Sequence, residues 1–424
     1  MTTSTHMMTG IDTAWVRAQF PSLALEMGGT PVLYLDNPAG TQVPQSTIDG
    51  ITAYLTTANA NQHGPFLTSQ RTDVVIERAR AGMAAFLGAE SSRQIAFGPN
   101  MTTLTYAISR AMGRTFAPGD EVIVTDLDHD ANITPWMDLA ERGVVVRRLP
   151  VHLEDCTLDM DALAAMLSPK TRLVAVTYAS NAVGTVTDIA AIARMAHAVG
   201  ARLWVDAVHY GPHGPIDVQA LDIDYLVCSA YKFFGPHIGI FYGKADLLEE
   251  LNSYHLRPAP HNVPERFETG TKNHECLAGL NGTFDYLIAL ANRQTSAPSL
   301  DDTDLRTSLL QAMTSIRAHE ATLSAAMLEG LATVPRLRIY GITDPARLHE
   351  RVPTFAINLE GMSATAVSEA LGAKGIFSWS GNYYALDIME RLGLQDTGGA
   401  VRVGAVHYNT LNEIDRLVET LKGV

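Results

Sequence analysis

Arg202-Leu-Trp-Val-Asp-Ala-Val-His, residues 202 to 209, and Tyr225-Leu-Val-Cys-Ser-Ala-Tyr-Lys-Phe-Phe-Gly-Pro, residues 225 to 236, carry the reading of the fold. Each opens with a short apolar run suited to a strand. The first ends in Asp206, the second in Ser229, Tyr231 and Lys232. Open α/β sheets bind ligands beyond the carboxyl ends of their strands, so both polar sets are expected at one crevice. An amine there can form a Schiff base with an aldehyde, and a buried carboxylate can keep a pyridine nitrogen protonated. Lys232 and Asp206 together therefore point to pyridoxal 5'-phosphate, held so that its ring acts as an electron sink. Taken singly, each is more simply a surface lysine or a capping aspartate.

The same alternation extends outward. From about Pro31 to Phe241 short β-rich runs alternate with helix-period segments, the pattern of a mostly parallel sheet covered by helices. Strands are expected at Glu121–Thr125, Val144–Leu149, Arg172–Tyr178, Arg202–Val205, Tyr225–Cys228 and Gly239–Tyr242. Between them, Asp188–Val199 puts Ile189, Ile192, Ala193, Ala196 and Val199 on one helical face and stops at Gly200. His129, and Ser180 with Asn181, follow two of these strands and are expected at the same crevice. Gly98-Pro-Asn-Met-Thr-Thr-Leu-Thr-Tyr, which holds Met101 and Thr102, precedes a helix whose first amides and dipole suit a phosphate.

After about residue 291 the character changes. Helical stretches near Leu309–Leu331 and Ala364–Leu371 flank the strand-like Thr354–Leu359. Thr410 and Glu413 form a capping-box pattern ahead of Leu411, Ile414, Leu417, Val418 and Leu421. The expected organisation is an N-terminal segment, 1–30, packing with the small domain, a large cofactor-binding domain, 31–290, and a smaller C-terminal α+β domain, 291–424.

At 424 residues and 46% hydrophobic, the chain can bury a core large enough for two or more domains. A formal charge of -14 without clustered Lys and Arg argues against nucleic acid or an anionic membrane as partner. Three cysteines, Cys156, Cys228 and Cys276, show no CxxC spacing, so reduced thiols in a cytoplasmic setting are expected, with no metal. Met1 to Gly10 is Thr-rich and lacks a basic patch before an apolar stretch, and no run approaches ~18 apolar residues, so neither secretion nor a membrane span is expected.

Several runs, spread over nearly the whole chain, resemble the class V aminotransferase group of fold-type I pyridoxal-phosphate enzymes, in the branch of cysteine desulfurases and selenocysteine lyases. They are Tyr34-Leu-Asp-Asn-Pro-Ala-Gly, the run His129 to Trp136, Ser180-Asn-Ala-Val-Gly-Thr, Val205-Asp-Ala-Val-His, Ser229-Ala-Tyr-Lys, Phe267-Glu-Thr-Gly-Thr and Val401-Arg-Val-Gly-Ala-Val-His-Tyr-Asn-Thr. The resemblance implies a seven-stranded, mostly parallel sheet in the large domain. It also implies that Lys232 holds the cofactor aldehyde and shuttles the α-proton, that Asp206 pairs with the pyridine nitrogen, and that His129 stacks on the ring. Asn181 and His209 would bind near the ring oxygen. Thr102, Ser229 and Tyr231 would hold the phosphate, Thr271 would reach it from the partner subunit of a homodimer, and Met101 would also contact the cofactor. Arg402 would clamp an amino-acid carboxylate, with Asn181, His63, Trp379 and Tyr384 completing the substrate pocket, His63 from across the dimer.

Two positions depart from the desulfurase pattern: His209 stands where glutamine is usual and Tyr231 where histidine is usual. Desulfurases of this branch also carry a persulfide-forming cysteine on a loop of the small domain. The corresponding stretch here, Gly375-Ile-Phe-Ser-Trp-Ser-Gly-Asn-Tyr-Tyr-Ala, has none, and Tyr384 takes the place. The expected activity is carbon-sulfur bond cleavage on an amino acid without that thiol. An aminotransferase, an amino-acid epimerase and a non-catalytic cofactor-binding scaffold are the alternatives.

Overall fold

The computed structural model describes residues 10–294 and 304–424. Residues 1–9 of the expected N-terminal segment and 295–303 of the expected C-terminal domain lie outside it. Seven strands form the main sheet: β1 Ile95–Gly98, β2 Glu121–Thr125, β3 Val145–Leu149, β4 Thr171–Thr177, β5 Arg202–Asp206, β6 Tyr225–Ser229 and β7 Gly239–Gly243. Their order is β1-β7-β6-β5-β4-β2-β3. All run parallel except β7, which pairs antiparallel with β6 and with β1.

Period-two alternation sends successive side chains to opposite faces. Leu173, Ala175, Trp204, Val227 and Phe241 pack on one face; Val174, Val176, Leu203, Val205 and Leu226 pack on the other. Both faces are covered, as a parallel sheet requires. Helix α3, Met101–Met112, covers the first with Met101, Leu104, Ile108 and Met112, and α4, Ile189–Ala198, covers the second with Ile189, Ile192, Ala193 and Ala196. Truncating a wholly buried residue such as Leu203 to alanine costs about 2–5 kcal/mol.

The strand ends differ slightly from the sequence reading. Arg172–Tyr178 is shifted by one residue to Thr171–Thr177, and Asp206 and Ser229 are the last residues of β5 and β6 rather than the first beyond them. The short strand β1 has no counterpart in the expected set. Only four residues long and closed by Gly98-Pro99, it offers too little alternation to declare itself.

A second, four-stranded sheet comprises β8 Leu337–Tyr340, β9 Thr354–Leu359, β10 Trp379–Gly381 and β11 Ala400–Gly404, in the order β8-β9-β11-β10. Helices α7, Ala364–Ala373, and α8, Leu411–Lys422, cover it, and α8 carries both halves of the capping box at Thr410 and Glu413. Helix α5, His274–Gln294, runs through residue 291 and packs on α1, Gln45–Thr57, and α2, Leu67–Leu87. Helix α6, Leu305–Ala332, joins the two cores: Leu309, Ala312, Met313 and Ile316 pack with the large sheet, Leu323, Met327, Leu328 and Leu331 with the small one. Near the N-terminus, Leu33–Tyr34 pairs in parallel with Ile376–Phe377, and Arg17 reaches Glu413 at 2.9 Å. Among the described residues no helix is long and apolar enough to cross a membrane.

Candidate active site

The carboxyl ends of β2, β4, β5 and β6 and the near edge of the second sheet enclose a cavity of about 630 Å³. Asp206 ends β5 on its floor. Its Oδ1 accepts the Val208 amide at 2.8 Å, and burial pushes its carboxyl up to about 7 against the pull of that amide and of Lys232. Lys232 lies in the tight turn after β6, and Nζ donates to Pro38 O at 2.6 Å and Ala39 O at 2.8 Å. Burial, reinforced by the positive charge of Arg402, draws this ammonium down to about 7. The same two strand ends are adjacent because β5 and β6 are parallel neighbours, with Asp206 opposite Val227.

His129 follows β2 and its Nδ1 accepts the Ala131 amide at 3.0 Å. Burial, with Lys232 and Arg402 adding to it, lowers this imidazole to about 4, so the ring facing the cavity is neutral near pH 7. Asp128 is wholly buried beside it, bonded to Asn132 Nδ2 at 2.7 Å and to Thr125, and burial pushes its carboxyl up to about 8.

Helix α3 aims its N-terminus at the cavity, where Met101 and Thr102 join the lining. Asn100 caps it by accepting the Thr103 amide at 2.8 Å, and the Met101 amide donates to Ser229 Oγ at 3.0 Å. The close approach depends on Gly239 in β7, because a Cβ there would lie 2.3 Å from the Asn100 carbonyl carbon. Tyr231 stacks on His237 with centroids 4.8 Å apart, and Lys232 Nζ lies 4.9 Å from the Tyr231 ring centre.

The opposite wall belongs to the second sheet. Arg402 in β11 donates from Nη1 to Asn181 O at 3.0 Å, pairs with Asp36 at 3.4 Å, and sits 4.4 Å above the Tyr383 ring. Trp379 in β10 is the direct cross-strand neighbour of Arg402, which puts both on one face. Asn181 Nδ2 donates to Tyr383 O at 2.9 Å, and the Asp130 amide donates to Tyr384 O at 2.6 Å. His209 Nε2 meets Thr354 Oγ1 at 3.0 Å, and burial drives this imidazole well below its ordinary value.

The expected site residues Lys232, Asp206, His129, Met101, Thr102, Asn181, His209, Ser229, Tyr231, Arg402, Trp379 and Tyr384 thus line one cavity. His63 and Thr271 do not line it within the same chain. His63 is exposed ahead of α2 with Nδ1 3.5 Å from Asp73. Cys276 is half-buried on α5, away from the cavity, and burial pushes its thiol up to about 11. Sequence reasoning did not single out Asp36, Tyr106, Asp130 or Thr134. Asp36 lay in plain view beside Asn37-Pro38; the carbonyls of Pro38 and Ala39 that grip Lys232 carry no side-chain signal at all.

This donor set fits pyridoxal phosphate. Asn181 Oδ1 and Arg402 Nε are buried at the cavity without hydrogen-bond partners among the described residues, as in a wall built around a polar ligand. Asp206 is a buried carboxylate that accepts only the Val208 amide among the described residues, so a protonated pyridine nitrogen would fit against it, and the α3 N-terminus suits a phosphate. Among the described residues no cluster of His, Cys, Asp and Glu could hold a metal ion.

Fold and site together define a pyridoxal-phosphate-dependent enzyme of the fold-type I class. The chain belongs to the aminotransferase class-V family, whose model matches residues 33–312 and 309–417. It is 35% identical over 422 residues to the cysteine desulfurase of Dickeya dadantii, covering 96% of this chain and 95% of that protein. It is 32% identical over 427 residues to a probable cysteine desulfurase of Synechocystis, covering 96% and 94%. Among solved structures, the apo cysteine desulfurase from Thermococcus onnurineus superposes with a TM-score of 0.84 at 25% identity, covering 98% of each chain. The Escherichia coli cysteine desulfurase CsdA gives 0.82 at 26% identity, again over 98% of each. The chain is therefore a cysteine desulfurase-like enzyme that uses pyridoxal phosphate.

Proposed function

We propose that this enzyme cleaves a carbon-sulfur bond in cysteine or a cysteine conjugate, releasing the sulfur directly and without a carrier thiol. The observation that carries the reading is the meeting of Lys232, Asp206 and Arg402 on a cavity whose lining includes no cysteine. Arg402 binds the substrate α-carboxylate: Nη1 is anchored to Asn181 O and Nη2 to Asp36, and Nε has no partner among the described residues. Lys232 Nζ would hold the cofactor aldehyde and then move the α-proton, a task suited to an amine drawn down to about 7. Asp206 would keep the pyridine nitrogen protonated, neutral His129 would stack on the ring, Thr102, Ser229 and Tyr231 would hold the phosphate, and Met101 would contact the cofactor beside them. When bound, the cofactor supplies a sink for the electrons left at the α-carbon.

With the α-proton on Lys232 Nζ, the bond from the β-carbon to sulfur breaks and the electron pair leaves on sulfur. Addition of water to the remaining fragment accounts for pyruvate and ammonia. The sulfur side of the substrate faces Trp379 and Tyr384, both aromatic and more than half exposed, which favours a larger or less charged group than a bare thiol. A homodimer in the cytoplasm, with Thr271 and His63 contributed across the interface, completes the reading.

The test is a panel of cysteine, S-alkyl cysteines and S-aryl cysteines given to the purified, cofactor-loaded enzyme, with pyruvate and thiol or sulfide measured together. Equal release of the two from at least one compound supports the proposal. Release of neither, or conversion of the cofactor to its pyridoxamine form, rejects it.

A further inference from the structure

His209 lines the cavity with Nε2 held by Thr354, so Nδ1 is the nitrogen left for a ligand. His213, which does not line the cavity, packs its ring against His209 with centroids 5.2 Å apart and planes at 70°. His213 Nδ1 in turn meets Glu320 Oε2 at 2.7 Å, with both side chains 3% exposed. Glu320 comes from α6, the helix that joins the two cores, and its Oε1 has no hydrogen-bond partner among the described residues. The other charged groups facing His209 are Arg402 and Lys232.

A histidine hydrogen-bonded to a carboxylate in this place gives up the hydration of both polar groups, and an apolar pair of the same volume would hold the fold nearly as well or better. What a hydrogen-bonded pair adds is a fixed ring orientation, as the outer partners of ligating histidines do in metal sites. We propose that Glu320 and His213 are positioning residues: Glu320 fixes the His213 ring, and that ring fixes His209 so that Nδ1 is presented to the ring oxygen of the cofactor. The proposal rests on the reading of His209 as the ring-oxygen partner. It makes α6 a strut between the second core and the electronic state of the cofactor.

Two readouts separate the proposal from that reading. Nitrogen NMR of the cofactor-free protein reports the His209 tautomer, and a pH titration of the visible band in the loaded protein reports the electrostatics at the ring oxygen. Glu320→Ala and His213→Ala are expected to split or shift the His209 ring signals. They are also expected to move the titration midpoint by about one pH unit, the worth of one charge-linked hydrogen bond. His213→Phe keeps an aromatic ring against His209 and is expected to stay closer to the parent. His209→Ala should move the midpoint at least as far as either alanine change. If His209→Ala leaves the midpoint in place, the ring-oxygen reading fails. If His209→Ala moves it while Glu320→Ala and His213→Ala leave both readouts at their parental values, the positioning proposal is overturned. Should the alanine variants not fold, isosteric Glu320→Gln carries the test: a shifted midpoint supports the proposal and an unshifted one overturns it.

Discussion

Tyr384 lies flat against His129, with ring centroids 5.6 Å apart and planes 16° from parallel. The stacking is held by an uncommon backbone: Tyr383 and Tyr384 both have φ of 56°, in the left-handed region that bulky side chains avoid. Their carbonyls accept from Asn181 and Asp130, so the strained pair clasps the second sheet to two strand ends of the first. It turns one phenol inward beneath Arg402 and leaves the other at the mouth of the cavity.

Glycine adopts this backbone freely, so Tyr384→Gly keeps the clasp and removes only the ring. Relief of the strain and removal of the stacked ring are worth about 1 kcal/mol each and oppose one another, so the melting temperature is expected to change little. Selectivity is expected to change more: kcat/KM for an S-aryl cysteine relative to S-methyl cysteine should fall roughly tenfold once that aromatic wall is gone. Steady-state kinetics on the two substrates checks this, and an unchanged ratio excludes Tyr384 from substrate recognition.

Arg402→Lys keeps the charge and discards the planar fork. The spectrum of the bound cofactor is expected to remain, while the dissociation constant for an amino acid rises about ten- to hundredfold. Spectral titration with substrate measures it. An unchanged constant would remove Arg402 from carboxylate binding.

Because Lys232 is drawn down to about 7 rather than its ordinary 10.5, its neutral, nucleophilic form becomes the majority as pH rises through about 7. The rate at which cofactor-free protein takes up pyridoxal phosphate should therefore rise with pH and level off above about 8. Stopped-flow absorbance at several pH values tests it; a rate still climbing steeply at pH 9.5 contradicts the lowered value. Lys232→Ala should abolish the coupled visible band and lower turnover by roughly a thousandfold or more.

Asp206 gives a stability signature of known sign. Burial raises its folded value to about 7 from 3.8, so in cofactor-free protein its contribution is complete below about pH 4 and is lost as pH climbs towards 7. Asp206→Asn carries no charge and escapes that loss. The melting temperature of the variant minus that of the parent, both without cofactor, should be larger at pH 7.5 than at pH 4. A difference independent of pH would count against the buried, ionisable carboxylate.

Much of this architecture was legible because strand and ligand signals coincide in the sequence. Arg202–Asp206 and Tyr225–Ser229 read as strands from their apolar residues, and the polar residue closing each lies where an open sheet binds ligands. Thr410 and Glu413 announced the last helix through a local hydrogen-bond pattern. What escaped depends on chain segments far apart. The grip of Pro38 and Ala39 on Lys232 is made by backbone carbonyls, and the pairing of Glu320 with His213 joins residues from different elements. The left-handed Tyr383–Tyr384 pair runs against local preference, and only the tertiary contacts around it explain its persistence.

The central claim is that Lys232 Nζ carries the cofactor, and reductive trapping tests it most directly. Borohydride treatment of the loaded protein, followed by proteolysis and mass spectrometry, should find the phosphopyridoxyl group on the peptide containing Lys232 and on that lysine. The same mass on another lysine, or on none, would contradict the account.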